Sequence, residues 1–172
     1  MTHSERTNTE RPAGPHADEL VAAGLDTIDG VVAIHDRAIP GTRRRIAHIA
    51  IGPSGVYVID TNAHRGLVVR RDSRLFVDGQ DRSDLVAAMK VPVDAIAAAL
   101  GALHLPISRA LCFVGGDWAA TSPAFMLKGV WVGPAMPLYG LVAQPGRLQP
   151  REIQAAVDLL DARLTMDQPL AD

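Results

Sequence analysis

Asp60 and Asn62 are the residues of this sequence best placed to do chemistry. They follow an apolar run, Val56 to Ile59. Successive strand residues alternate between faces, so Val56, Val58, Asp60 and, if the strand continues, Asn62 share one side. On the preceding run Ala47 falls with Ile49 and Ile51, and His48 with Ile46 and Ala50. Carboxylates leaving an apolar strand of an α/β sheet are often working groups. Asp60-Thr61-Asn62 reads equally well as the turn that stops the strand, and spacing leaves both readings open. His35, His48 and His64, with Asp36 and Asp60, form a second constellation whose residue types suit a transition metal. No His pair at i, i+4 occurs among them, and parity turns His48 away from the Ala47 face, so the usual ligand spacings are missing. The third constellation is cationic. From Asp36 to Arg74 stand eight arginines against three aspartates, +5 in a chain of −2, which leaves −7 elsewhere.

The elements that must position these groups follow from pattern. Gly52-Pro53-Ser54-Gly55 is turn chemistry, with Pro presetting φ at the second place and Gly at the fourth. The runs on either side, 46–51 and 56–59, are too continuously apolar for a strand with one wet face and predict central strands covered on both sides. A helix is expected over 17–25, with Leu20, Val21, Gly24 and Leu25 facing the sheet, and a first strand over 31–35. Strands at 67–71 and 75–77 are joined through Asp72-Ser73, and Asp78-Gly79 breaks the sheet. Helical pattern occupies 84–103, where Pro92 either kinks one helix or sits in the first turn of a helix that begins near Val91. A buried strand follows at 109–114, a loop at Gly115–Trp118, a short strand at 129–132, and a break marked by Pro134 and Pro137. Residues 150–164 close the chain as an amphipathic helix with Ile153, Val157, Leu160 and Leu164 on one face.

Three runs carry a resemblance. His35-Asp36-Arg37-Ala38-Ile39-Pro40-Gly41 comes first. Ala47-His48-Ile49 leads into Gly52-Pro53-Ser54-Gly55-Val56-Tyr57-Val58-Ile59-Asp60, and Arg65-Gly66 follows. With Leu75 to Gly79, Leu111 to Val114 and Asp117-Trp118, they resemble the nuclease-related domain (NERD) family over about residues 14–165. The resemblance implies an α/β, single-domain mixed β-sheet flanked by helices, restriction-endonuclease-like, with a metal-dependent phosphodiesterase centre on its two middle strands.

This sequence departs from that pattern at the centre itself. The family has Asp before the first-strand His; here Ala47 replaces it. The family's second strand ends in an acid, any residue, then Lys; here Asp60 is the only retained acid and Asn62 replaces the Lys. A helical Gln falls on Pro92. The acidic residue that the family carries on its first helix matches Asp18 best and Glu19 next, although both also suit a helix N-terminus. Mg²⁺ is held by one or two carboxylates plus phosphate oxygens, and Asn62 carries no charge to stabilise a phosphorane. Losing one well-placed group costs about two to three orders of magnitude in rate, and two are gone. The expectation is a catalytically inactive relative that acts by binding nucleic acid or a protein, with no cofactor. The alternative is an active Mg²⁺-dependent DNA endonuclease in which Asp60 holds the metal with relocated acids, Asp18 or Glu19 and Asp36.

Arginine forks suit phosphate, so Arg43, Arg44, Arg45, Arg65, Arg70 and Arg71, clustered with Arg74 at one side, are the expected DNA-contacting patch. A solvated, salt-bridged surface is the other reading of the same residues. At 172 residues the chain suits one domain, with tails at 1–16 and 166–172 around a domain of 17–165. No apolar stretch is long enough to span a bilayer, and the N-terminus lacks a signal peptide's apolar core. Cys112, the single cysteine, forms no internal disulfide and reads as a packed thiol, so the expected compartment is the cytoplasm.

Overall fold

The computed structural model describes residues 15–120 and 123–165. The expected tails lie outside the described residues, except that Pro15 and His16 open the first helix. That helix, α1 (Pro15–Leu25), starts on a proline, whose missing N–H needs no partner in a first turn. Three strands follow: β1 (Val32–Ala38), β2 (Arg45–Gly52) and β3 (Gly55–Asn62). A small antiparallel unit comes next, β4 (Gly66–Arg71), β5 (Arg74–Val77) and β6 (Gln80–Asp81), then α2 (Ser83–Ala88) and α3 (Lys90–Leu100). The chain continues through β7 (Ile107–Phe113), β8 (Gly116–Trp118), β9 (Phe125–Leu127) and β10 (Val130–Gly133) to α4 (Ala135–Val142) and α5 (Pro150–Arg163).

The strands form a six-stranded mixed sheet in the order β1-β2-β3-β7-β10-β9 and a four-stranded sheet in the order β6-β5-β4-β8. In the large sheet β3, β7 and β10 run parallel and the remaining neighbours antiparallel. Val21 and Leu25 of α1 and Leu138 and Val142 of α4 pack on one face, against Ala50, Tyr57, Ile59 and Ala110. Ile96 and Leu100 of α3 and Val157 and Leu160 of α5 pack on the other, against Ile49, Ile51, Val58 and Leu111. The chain is therefore an α/β domain with a mixed sheet flanked by helices, a nuclease-like architecture. Along β3 every residue except Asp60 is buried, as the unbroken apolar run demands of a strand covered on both sides.

Several local readings need correction. Within 84–103 the alternative with Pro92 in the first turn of a helix that begins near Val91 holds, since α3 starts at Lys90 and Pro92 removes no helical hydrogen bond there; the addition is a separate helix, α2, before Met89. Pro134 and Pro137 follow the end of β10 as expected, but a helix starts there, with Pro134 as the N-cap of α4 and Pro137 in its first turn. Gly116–Trp118 is not loop; it pairs in parallel with β4. Asp78-Gly79 does not end the sheet but turns it back into β6. The first strand runs on to Ala38, beyond its expected end at residue 35. On α1, Leu20 points outward at 48% exposure instead of facing the sheet.

Candidate functional site

Register places the site. His48 pairs with Ile59, which sets Ala47 beside Asp60, and His35 and Arg37 pair with His48 and Ile46, which sets Asp36 on the other side of Ala47. The three positions form one row across β1, β2 and β3, with Asp36 in the left-handed region at φ 55°. A pocket of about 210 Å³ opens on this face. Ala47, Asp60 and Pro92 all line it, so two of the three replaced family positions and the retained acid meet in one place. Val58, Ile59 and Met89 make its walls apolar, and Arg44 and Arg45 stand at the polar side.

Arg45 dominates the electrostatics. One arm of its guanidinium donates to Asp36, and the other donates to Asp18 Oδ2 at 2.5 Å. Burial works against its charge, but the hydrogen bonds to Asp36 and Asp18 and their fields outweigh it, and its pKa is raised. Asp60 feels the same neighbours. Burial first, then the negative field of Asp18, push its carboxyl up to about 6, while Arg45 and the backbone N–H of Thr61 pull the other way. Three acids thus gather around one guanidinium. Of the two candidates on α1, Asp18 is the acid brought to the site; Glu19 is exposed, with no ion pair among the described residues.

Asn62 does not join them. It shares Asp60's face by parity, but it is 5% exposed and does not line the pocket. Its amide oxygen accepts from the His64 backbone N–H at 2.9 Å and from the His64 ring, closing the turn that ends β3. The turn reading of Asp60-Thr61-Asn62 therefore holds for Asn62, whereas Asp60 lines the pocket.

The histidines separate as parity requires. On the opposite face from Ala47, His48 Nε2 lies 2.9 Å from Thr61 Oγ1, His48 Nδ1 lies 2.9 Å from His35 Nδ1, and His35 Nε2 lies 3.0 Å from Asp26 Oδ1. Burial and then the fields of His35 and Arg45 push His48 down to about 3, so it is neutral, and the facing Nδ1 atoms share one N–H between them. His64 instead contacts Asn62 and Arg82. Nothing in the spacing of these residues gave away the Asp26–His35–His48–Thr61 chain, because it crosses three strands and a loop. Cys112 is fully buried, and its thiol is pushed up to about 12 by burial, which suits packing and not nucleophilic attack.

The arginines do not form one patch. Arg45 bridges Asp18 and Asp36; Arg70 donates to the Met126 carbonyl at 3.0 Å; Arg71 lies over the Phe76 ring; Arg74 pairs with Asp81. Met126 belongs to β9, four places from β2 in the sheet, about 19 Å at the usual strand spacing. Arg43, Arg44 and Arg65 are exposed and adjoin the strand ends that carry Asp60 and Arg45. Among the described residues no acid pairs with these three.

A catalytic Mg²⁺ takes one or two protein carboxylates, its other places being filled by water and phosphate oxygens. Ala47 supplies none, Asp18 and Asp36 are held by Arg45, and among the described residues no three His, Cys, Asp or Glu side chains converge to hold a metal. No described helix is long and apolar enough to cross a membrane.

Neither a curated protein nor a solved structure matches this chain. The model of the family described as nuclease-related domain matches residues 13–114, from just before α1 to the residue after β7, so that β8 to β10, α4 and α5 lie past the match. On that match, which covers more than half of the chain and takes in Asp18, Ala47, Asp60 and Asn62 together, the protein belongs to the NERD family.

Proposed function

We propose that this protein is a nuclease-related domain that no longer cleaves phosphodiesters and that binds nucleic acid at the rim of its former centre. The observation that carries the reading is Arg45. Its guanidinium stands among Asp18, Asp36 and Asp60 where a cleaving relative would gather a divalent cation, and it occupies two of the three acids through direct hydrogen bonds. A fixed guanidinium balances carboxylates but has no empty orbital to polarise phosphate and no bound water to activate. With Ala47 and Asn62 at the flanking positions, neither the second metal ligand nor the charged partner of the reaction is present.

What is left for binding is a cationic rim. Arg43, Arg44 and Arg65 stay exposed at the end of the sheet that carries Asp60, and forked guanidinium groups suit phosphate. About three phosphate contacts give a salt slope near −3 for duplex DNA. Purified protein is expected to bind DNA with that salt dependence, to lose most of the affinity when Arg43 and Arg44 become Ala, and to leave plasmid intact with Mg²⁺ or Mn²⁺. Nicking abolished by Asp60→Ala would refute the loss of catalysis, and binding indifferent to salt would refute the rim.

One observation favours the second reading, an active Mg²⁺-dependent endonuclease with relocated acids. Asp18 lies close enough for its charge to raise the Asp60 pKa. Two carboxylates near each other are the beginning of a metal site, but Arg45 must leave before a cation enters. The same nicking assay separates the two.

A further inference from the structure

A second cavity lies on the same face of the sheet, across the α2–α3 junction from the Asp60 pocket. It encloses about 590 Å³, within the range of small-molecule sites. Lys90, Arg109 and Lys128 border it, with Val93 and Ile107 among its apolar walls. One carboxylate is present, Asp94, which is tied to Lys90 one helical turn away. Among the described residues no acid pairs with Arg109 or Lys128, so two of the three cations border the space outside any ion pair.

The turn that carries Lys128 adds an independent observation. Lys128 and Gly129 join β9 to β10 with φ of 49° and 75°, the two positive values of a type I′ hairpin. That geometry favours Asn, Asp or Gly at its first place, since a longer side chain there crowds the backbone. Two other hairpins of this chain follow the rule, with Asp72 at φ 48° and Asp78 at φ 51°. Lysine is the exception, and a residue held in an unfavoured conformation points to a local use. Gly129 is equally constrained. A Cβ there would stand 2.8 Å from Arg109 Nη2, so the guanidinium rests against the turn's backbone beside Lys128.

We propose that this cavity binds a phosphomonoester of nucleotide size, its phosphate on Arg109 and Lys128 and its ring against the Val93 and Ile107 wall. A dianionic phosphate has the charge and the acceptor geometry for two cationic donors, and the apolar wall gives a base or similar ring a surface to leave water. The site is separate from the Arg43–Arg44 rim, and neither depends on the other.

The test is calorimetry with adenosine monophosphate, adenosine and inorganic phosphate on wild type, Lys128→Gly and Arg109→Gln. The monophosphate is expected to saturate the protein at least about tenfold more tightly than adenosine, and each substitution to weaken it about tenfold, the usual worth of a charge-assisted hydrogen bond. Lys128→Gly also relieves the left-handed strain, so its melting temperature is expected to stay or rise while affinity falls. A folding defect therefore cannot imitate the result. Arg43→Ala with Arg44→Ala should leave this binding unchanged, which keeps failure here distinct from failure of the DNA-binding rim. Competition by a 5′-phosphorylated oligonucleotide, with none by its unphosphorylated form, identifies a nucleic-acid end as the source of the phosphate. Without competition, a free nucleotide is the source. Equal affinity for adenosine and its monophosphate, or unchanged affinity in Lys128→Gly, overturns the proposal.

Discussion

Asp60→Asn removes a charge from a position that disfavours it. Asn keeps the shape and an oxygen that can accept from the Thr61 N–H, so packing is little disturbed. The carboxyl is pushed from 3.8 to about 6, by burial first and by Asp18 second. Two pH units correspond to about 3 kcal/mol between the protonation states. The direction follows from where the proton is held more tightly. In the unfolded chain Asp60 ionises near 3.8 and in the folded chain near 6, so the folded state binds more protons between those values. Asp60's contribution to stability is therefore complete below about pH 4, declines as pH rises towards about 6, and is absent above that. Asn carries no such dependence. Urea unfolding of both proteins from about pH 4 to about pH 8 should show stabilities within about 1 kcal/mol at the acid end. At the alkaline end Asp60→Asn should be ahead by up to about 3 kcal/mol. A variant no more stable than wild type above pH 6, with a gap that does not change with pH, would refute the assignment of Asp60 to a desolvated, acid-flanked site.

Arg45→Gln releases Asp18 and Asp36 and takes away the positive field that holds Asp60 down, so the Asp60 titration, followed by carboxyl carbon NMR, is expected to move above about 6. The partly exposed pairs cost little when broken, about 1 kcal/mol or less in all, so an unmoved titration in a folded variant would contradict the geometry. His48 is held down at about 3, against 6.5 in the unfolded chain, so it favours folding above about pH 6.5 and that contribution is lost as pH falls towards 3. Ring-nitrogen NMR should find it neutral and in one tautomer at about pH 5, and a titration near 6.5 would break the Asp26–His35–His48–Thr61 account.

The row of Ala47 and Asp60 on one face, with His48 on the other, was legible in the sequence because alternation along a strand is local geometry, and the glycine–proline turn fixed how the two strands meet. The covered central strands, the helix stripe of Ile153, Val157, Leu160 and Leu164, and the family itself were legible for the same reason: each rests on short-range pattern. Only packing decided where the long side chains reach. Arg45 lies 27 residues from Asp18, yet it closes on that acid because α1 packs over β1, β2 and β3, which no spacing rule encodes. Arg70 reads like its neighbours in sequence but is carried to β9, 56 residues on, by a second sheet. The cationic cavity likewise joins helix, strand and turn from three distant stretches. Period and turn chemistry specify elements; the removal of apolar surface from water chooses which of them meet, and so which charges come to stand together.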